Sequence, residues 1–134
     1  MRLSAFNFSI APSNSQRIYA LIEAENGGLY RSDDGGAHWS KSTEDPRIQG
    51  SGYFSRVFVD PNNSDVVYVA QTSLYRSEDG GRTFISYKGA PGGDDNHALW
   101  IDPLNPRRMI DSNDGGVDIT LNSGETWSMP MLPD

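Results

Sequence analysis

Short apolar runs with alternating spacing dominate the chain. Phe6, Phe8 and Ile10 stand two residues apart, as do Val57 and Val59, and Leu99 and Ile101. A period of two puts such side chains on one face of an extended strand. Each run ends in a turn: Ala11-Pro12-Ser13-Asn14, Asp60-Pro61-Asn62-Asn63 and Asp102-Pro103-Leu104-Asn105. Proline presets φ there, and Asn or Asp can bond its own backbone. A second strand follows over residues 17–21, 66–70 and 108–110 and ends near Glu23, Gln71 and Asp111. A third runs over 28–32, 73–77 and 116–120, and a fourth is predicted to start at Trp39, Phe84 and Trp127. No segment carries a helical period.

Four strands therefore recur three times. Between the third and fourth strands, Ser32-Asp33-Asp34-Gly35-Gly36-Ala37-His38-Trp39 is repeated as Ser77-Glu78-Asp79-Gly80-Gly81-Arg82-Thr83-Phe84. A weaker copy is Thr120-Leu121-Asn122-Ser123-Gly124-Glu125-Thr126-Trp127. Ser77 follows Ser32 by 45 residues and Thr120 follows Ser77 by 43. The Pro-x-Asn turn keeps the same phase, so two independent markers share one period. Four short strands in about 45 residues is the unit of a propeller blade. The predicted fold is all-β: three four-stranded antiparallel blades of an incomplete β-propeller, at residues 1–45, 46–90 and 91–134. Closure takes about 4–8 blades, so the expected partners are the remaining blades of a longer parent chain, or further copies of this one.

The repeated turn has a structural chemistry of its own. Asp34, Asp79 and Asn122 can accept backbone N–H bonds; Ser32, Ser77 and Thr120 can tie the turn from its other side. Gly36, Gly81 and Gly124 supply positive φ at low cost. Thr83 and Thr126 flank the aromatic position, and Trp39, Phe84 and Trp127 are expected to bury a ring between sheets. Acids engaged with the backbone are poor catalysts, so no catalytic role is assigned to Asp34 or Asp79.

These turns resemble the Asp-box, or bacterial neuraminidase, repeat. Residues 17–24, 28–36, 95–103 and 113–117 resemble more closely the bacterial sortilin-like proteins, which often carry glycosyl-hydrolase or exo-α-sialidase labels. Sialidases, xyloglucan-cleaving hydrolases, sortilin-type receptors and a photosystem assembly factor share such repeats. The resemblance implies propeller architecture and three functional classes. The first is a binding or scaffold module for protein or carbohydrate. The second is part of a xyloglucanase- or sialidase-like glycoside hydrolase, and the third a purely structural repeat. It also implies an extracytoplasmic or secreted bacterial protein. A sialidase needs an Arg cluster for its substrate carboxylate, whereas Arg31 and Arg76 fall on third strands beside the repeated turns.

Composition narrows the classes. The 134 residues carry a formal charge of −7, and an acidic surface repels phosphate backbones. Cysteine is absent, which removes disulfides, thiolate metal sites and a Cys nucleophile. No apolar run approaches the roughly 20 residues of a membrane span, and the first residues turn polar too soon for a signal peptide.

Function in a propeller is expected on the face carrying the blade-to-blade and second-to-third-strand loops. The densest polar cluster there is Asp94, Asp95, Asn96 and His97, with Asp111 and Asp114 in the adjacent loop. The functional reading is a polar ligand site near the axis, or a carboxylate pair serving as acid and base. The plain reading is capping of backbone groups by Asp and Asn. Arg47, Tyr53 and Trp100 could hold a sugar by stacking, or simply pack. Residues 111–116 depart from a calcium loop, because Gly115 stands where a ligand is needed. No metal and no cofactor are expected.

Overall fold

The computed structural model describes residues 5–23, 26–48, 55–88 and 96–128. These residues form three antiparallel sheets in chain order. The first holds β1 (Ala5–Ile10), β2 (Ile18–Glu23), β3 (Gly28–Ser32) and β4 (Ser40–Lys41). The second holds β5 (Arg56–Asp60), β6 (Asn63–Ala70), β7 (Leu74–Ser77) and β8 (Ile85–Lys88). The third holds β9 (Ala98–Ile101), β10 (Met109–Asn113) and β11 (Gly116–Thr120). Every pairing joins strands consecutive in the chain, so each sheet is an up-and-down meander, the form of a propeller blade. In the third sheet Ser128 N–H donates to Ile119 O (2.8 Å) where a fourth strand would begin; residues 129–134 lie outside the described set. The only helical element among the described residues is a single 3-10 turn, Pro46–Ile48. None of the described helices is long and apolar enough to cross a membrane.

The first strands β1, β5 and β9 lie next to one another in succession, and Asn7 Oδ1 accepts from Val57 N–H across the first two (2.8 Å). The sheets then pack face to face. Tyr19, Leu21 and Leu29 of the first blade meet Val57, Val59, Val67, Val69 and Phe84 of the second. On the far side of the second blade, Tyr68, Ala70 and Leu74 meet Leu99, Ile101, Met109 and Trp127 of the third. The middle blade is thus covered on both faces. This explains why β6 reads as a continuous apolar run, Val66 through Ala70 all buried, while β2 alternates.

Polar groups fix the register of these faces. Tyr19 Oη donates to Ser64 O (2.7 Å), and the Arg17 guanidinium bridges Asp33 and Asp65, each at 2.6 Å. Burial works against the charge of Arg17, but these carboxylates and the Tyr19 hydroxyl raise its pKa all the same. At the second junction, Asn96 donates from its backbone N–H to Gln71 O (2.9 Å) and from Nδ2 to Gln71 O and Thr72 O (3.3 and 3.2 Å).

The repeated turn is built alike three times. Ser32 Oγ, Ser77 Oγ and Thr120 Oγ1 each accept the N–H of Gly36, Gly81 and Gly124, all at 2.9 Å. Asp34 Oδ1 accepts His38 N–H (2.8 Å), Asp79 Oδ1 accepts Thr83 N–H (2.9 Å), and Asn122 Oδ1 accepts Thr126 N–H (3.1 Å). The His38 amide and imidazole hold the Asp34 carboxyl at about 2. Burial pushes Asp79 the other way, but the Thr83 hydroxyl and amide outweigh it and hold that group at about 2 as well.

The aromatic residues after the turns differ from the expectation at one position. Phe84 and Trp127 are 6% and 8% exposed between sheets, whereas Trp39 is 44% exposed. The local turn is the same; what differs is that, among the described residues, no sheet lies over the Trp39 face. The fourth strands also start one residue later than expected, at Ser40 and Ile85, because the aromatic residue still belongs to the turn.

Candidate functional site

Of the candidates read from the sequence, Asp94 and Asp95 lie outside the described residues, as does Tyr53. Asn96 is buried and joins the second and third blades through the bonds given above. His97 is half-buried, and its N–H donates to Ser112 O (2.8 Å), which fastens the entry of β9 to the end of β10. Asp111 is not in a loop. It sits within β10, which continues to Asn113, and it is completely buried. Asp114 is exposed at the tip of the β10–β11 turn.

Register shows what Asp111 faces. It pairs with Asp118 of β11, also completely buried. The Asn113 side chain lies between them, its Nδ2 donating to Asp111 Oδ2 (2.8 Å) and Asp118 Oδ2 (2.7 Å). Asn113 Oδ1 in turn accepts Gly115 N–H (2.9 Å), so the whole amide is engaged and the turn is fixed. The equivalent cross-strand pair is Ala20 with Tyr30 in the first blade and Val69 with Tyr75 in the second. The third blade has thus exchanged an apolar pair for two acids on the side that packs against the second blade.

Two neighbouring buried carboxylates cost more than the apolar pair they replace unless hydrogen bonds compensate. Asn113 supplies one bond to each. The result is a polar corner where β10 ends and β9 and β11 begin, with half-buried His97 and exposed Asp114 at its rim. The sequence reading placed Asn113 only within a candidate loop, residues 111–114, and missed Asp118, because it sought function in loops. The available signal was the repeat itself: aligning the three blades puts an acid at two positions where both other copies are apolar or aromatic. Among the described residues no group of three or more His, Asp or Glu is placed to hold a metal ion.

The remaining candidates are dispersed. The Arg47 guanidinium is paired with Asp45 (2.6 Å), donates to Phe84 O (2.7 Å) and lies over the Tyr75 ring. Trp100 is 47% exposed on the outer face of the third blade, with the Arg108 guanidinium 6.0 Å from its ring centroid.

No family model matches the chain. Among curated proteins it is 33% identical over 90 residues to a xyloglucanase of Hypocrea jecorina (strain QM6a), an alignment covering 57% of this chain and 11% of that protein. The chain therefore spans about a tenth of that relative. Among solved structures it resembles the Niastella koreensis GH74 enzyme, with a TM-score of 0.70, 17% identity, and coverage of 95% of this chain and 22% of that one. It also resembles YCF48 from Cyanidioschyzon merolae, with a TM-score of 0.65, 18% identity, and coverage of 92% and 35%. At these identities the structural likeness speaks to fold alone. With the three stacked meanders, it makes the chain a set of β-propeller blades, all-β and incomplete, similar to part of much longer chains.

Proposed function

We propose that these blades belong to a binding propeller, with the polar corner of the third blade as its ligand-facing element and a carbohydrate or protein surface as its ligand. One observation carries this reading: Asp111 and Asp118 are buried around Asn113 where the other two blades hold apolar or aromatic residues. That exchange is weak support for stability, since apolar packing in place of buried charged groups is often as good or better, and it favours a role beyond holding the blade together. The buried acids do not meet ligand themselves. They orient the turn that presents Asp114 and support the strand end that carries His97. The sortilin-like pattern of residues 95–103 favours such a binding role, in an extracytoplasmic setting that the relation to a xyloglucanase also fits.

The relation to that xyloglucanase also supports a second reading, part of a glycoside hydrolase. Glycoside cleavage needs two carboxyls about 5–9.5 Å apart flanking an accessible bond. Asp111 and Asp118 are side by side on one amide and closed to solvent, so among the described residues they do not form that arrangement. Under this reading the catalytic acids reside elsewhere in a larger propeller.

The test is calorimetric titration of the chain with xyloglucan oligosaccharides, repeated on Asp114→Ala and His97→Ala. The expected outcome is at least a tenfold loss of affinity in both variants with unchanged circular dichroism. Binding that both substitutions leave intact would remove the polar corner as the site.

A further inference from the structure

Asparagine is followed by glycine once in the chain, at Asn26-Gly27, in the turn between β2 and β3. Asn26 is exposed. Its backbone O accepts the Tyr30 hydroxyl (2.8 Å). Among the described residues its side-chain amide makes no hydrogen bond, and nothing accepts the Gly27 N–H. Asn is a chemically labile side chain, and a glycine without Cβ lets its backbone nitrogen approach a neighbouring group closely.

The comparable places in the chain are closed to that approach. Where an Asp precedes a Gly, the glycine N–H is held: Gly35 donates to Gln16 O, Gly80 to Asp65 O and Gly115 to Asn113 Oδ1, each at 2.9 Å. Asp34 and Asp79 are moreover held ionised down to about 2, and a carboxylate resists a nucleophile. Where an Asn precedes a Ser, the Asn side chain is held. Asn14, Asn63 and Asn122 accept the N–H of Gln16, Asp65 and Thr126 through Oδ1, at 3.2, 3.0 and 3.1 Å.

The third blade shows what protects such a turn. Gly28 pairs with Ile22 as Gly116 pairs with Asn113, and both glycines have positive φ, +143° and +128°. Asn26-Gly27 therefore stands where the third blade has Asp114-Gly115. There Asn113 caps the Gly115 N–H; Ile22, in its place, has no side-chain acceptor to offer.

We infer that Asn26 is a site of self-modification, deamidating through a cyclic imide formed with Gly27. The Gly27 nitrogen gives up its proton to the solvent and attacks Asn26 Cγ. That bond forms as the Cγ–Nδ2 bond breaks, and ammonia leaves. Water then opens the imide at either carbonyl, giving aspartate or isoaspartate. The net reaction consumes one water and releases one ammonia, and it needs no other reactant. Each event adds one negative charge to the formal −7. The aspartate product gives the first blade the Asp-Gly that the third carries at this turn, and the isoaspartate product adds a methylene to the backbone beside the Tyr30 bond. This goes beyond the binding reading and does not rest on it.

The experiment is incubation of the full chain at mildly alkaline pH and physiological temperature, followed by tryptic digestion and mass spectrometry over time. Cleavage after Arg17 and Arg31 frees residues 18–31, a peptide whose only side-chain amide is that of Asn26. This peptide is expected to gain the mass difference between NH and O before any other Asn-containing peptide does. It should separate into two isomers, and the rate should rise with pH because the attacking nitrogen must lose its proton. Gly27→Ala should slow the change about tenfold or more, with an unchanged circular dichroism spectrum. If that variant proves unfolded, hydroxylamine added to the native parent replaces it, because it opens the imide and cuts the chain between residues 26 and 27. An aspartate product without isoaspartate, a rate that Gly27→Ala leaves unchanged, or no hydroxylamine cut overturns the imide route. Conversion in urea but not in the folded chain overturns the inference that the fold leaves this turn open to attack. Earlier conversion at another Asn overturns the site.

Discussion

The corresponding faces of the first and second blades are the same surface in two circumstances. Both are built by the first two strands of a meander and the aromatic residue that ends its repeated turn. In the second blade Val57, Val59, Val67, Val69 and Phe84 are buried under Tyr19, Leu21 and Leu29. In the first, Phe8, Ile10 and Trp39 stand open. Hydrogen bonding does not distinguish the two turns, since Trp39 Nε1 even finds a partner in Gly36 O (2.9 Å). Local sequence thus builds the face, and only a neighbouring sheet gives it stabilising value. The energy of a repeat protein resides largely in such nearest-neighbour terms.

Truncating the aromatic residue should separate the two circumstances most widely. Phe84→Ala removes a ring enclosed between blades and should cost about 3–5 kcal/mol, enough to threaten a chain of ordinary stability. Trp39→Ala removes a half-exposed ring and should cost about 1 kcal/mol for the isolated monomer. Urea midpoints at constant m measure both. Equal costs in dilute solution would show that the two faces do not differ as described.

The glycine that ends each repeated turn gives a finer version of the same contrast. A Cβ on Gly124 would lie 2.5 Å from the Tyr87 ring of the second blade, at a φ of +83°. A Cβ on Gly36 would meet nothing closer than 3.7 Å, at a φ of +98°. Gly124→Ala should therefore combine left-handed strain with overpacking, about 3 kcal/mol. Gly36→Ala should show the strain alone, about 1 kcal/mol. Similar penalties would mean that Tyr87 swings aside at little cost and that the second junction is softer than its packing indicates.

Much of this architecture was legible in the sequence because its cues are local. Alternation at Phe8 and Ile10, the Pro-x-Asn turns and the acid-Gly-Gly turns mark strands and their connections wherever they occur. What was not legible depends on partners distant in the chain. The exposure of Trp39 follows from the fact that no described sheet packs over its face, and not from the Trp itself. The burial of Asp111 depends on register, which sets it opposite Asp118 seven residues later and turns both toward the second blade. Reading Asp111 as a loop residue followed from its polarity, and Asn113 is what makes that polarity tolerable inside a sheet.

The third repeated turn offers the smallest effect and the only expected gain. Ser123 has a φ of +60°, where the first two turns have Gly35 and Gly80 at +71° and +74°. The bond that demands this backbone is common to all three. Gly35 N–H donates to Gln16 O, Gly80 N–H to Asp65 O and Ser123 N–H to Arg107 O, at 2.8 to 2.9 Å. The residues facing these turns differ. Arg31 donates to Gly80 O (3.1 Å) and crowds the space a side chain would need. The corresponding Arg76 instead lies over the Tyr68 and Tyr87 rings and pairs with Glu78. With Arg76 drawn aside, the third turn accommodates a Cβ, and Ser123 bears only the left-handed strain. Ser123→Gly should relieve about 1–2 kcal/mol of that strain against about 0.4–1 kcal/mol of added unfolded-state entropy. The net gain is about 0.5–1 kcal/mol, read as a rise in Tm of about 2–4 °C. The reciprocal Gly80→Ser should lose considerably more, because Arg31 must then give up its bond across the first junction. A Ser123→Gly variant that melts below the parent would show that the serine makes a compensating contact, and that the three turns are less alike than their shared backbone bond implies.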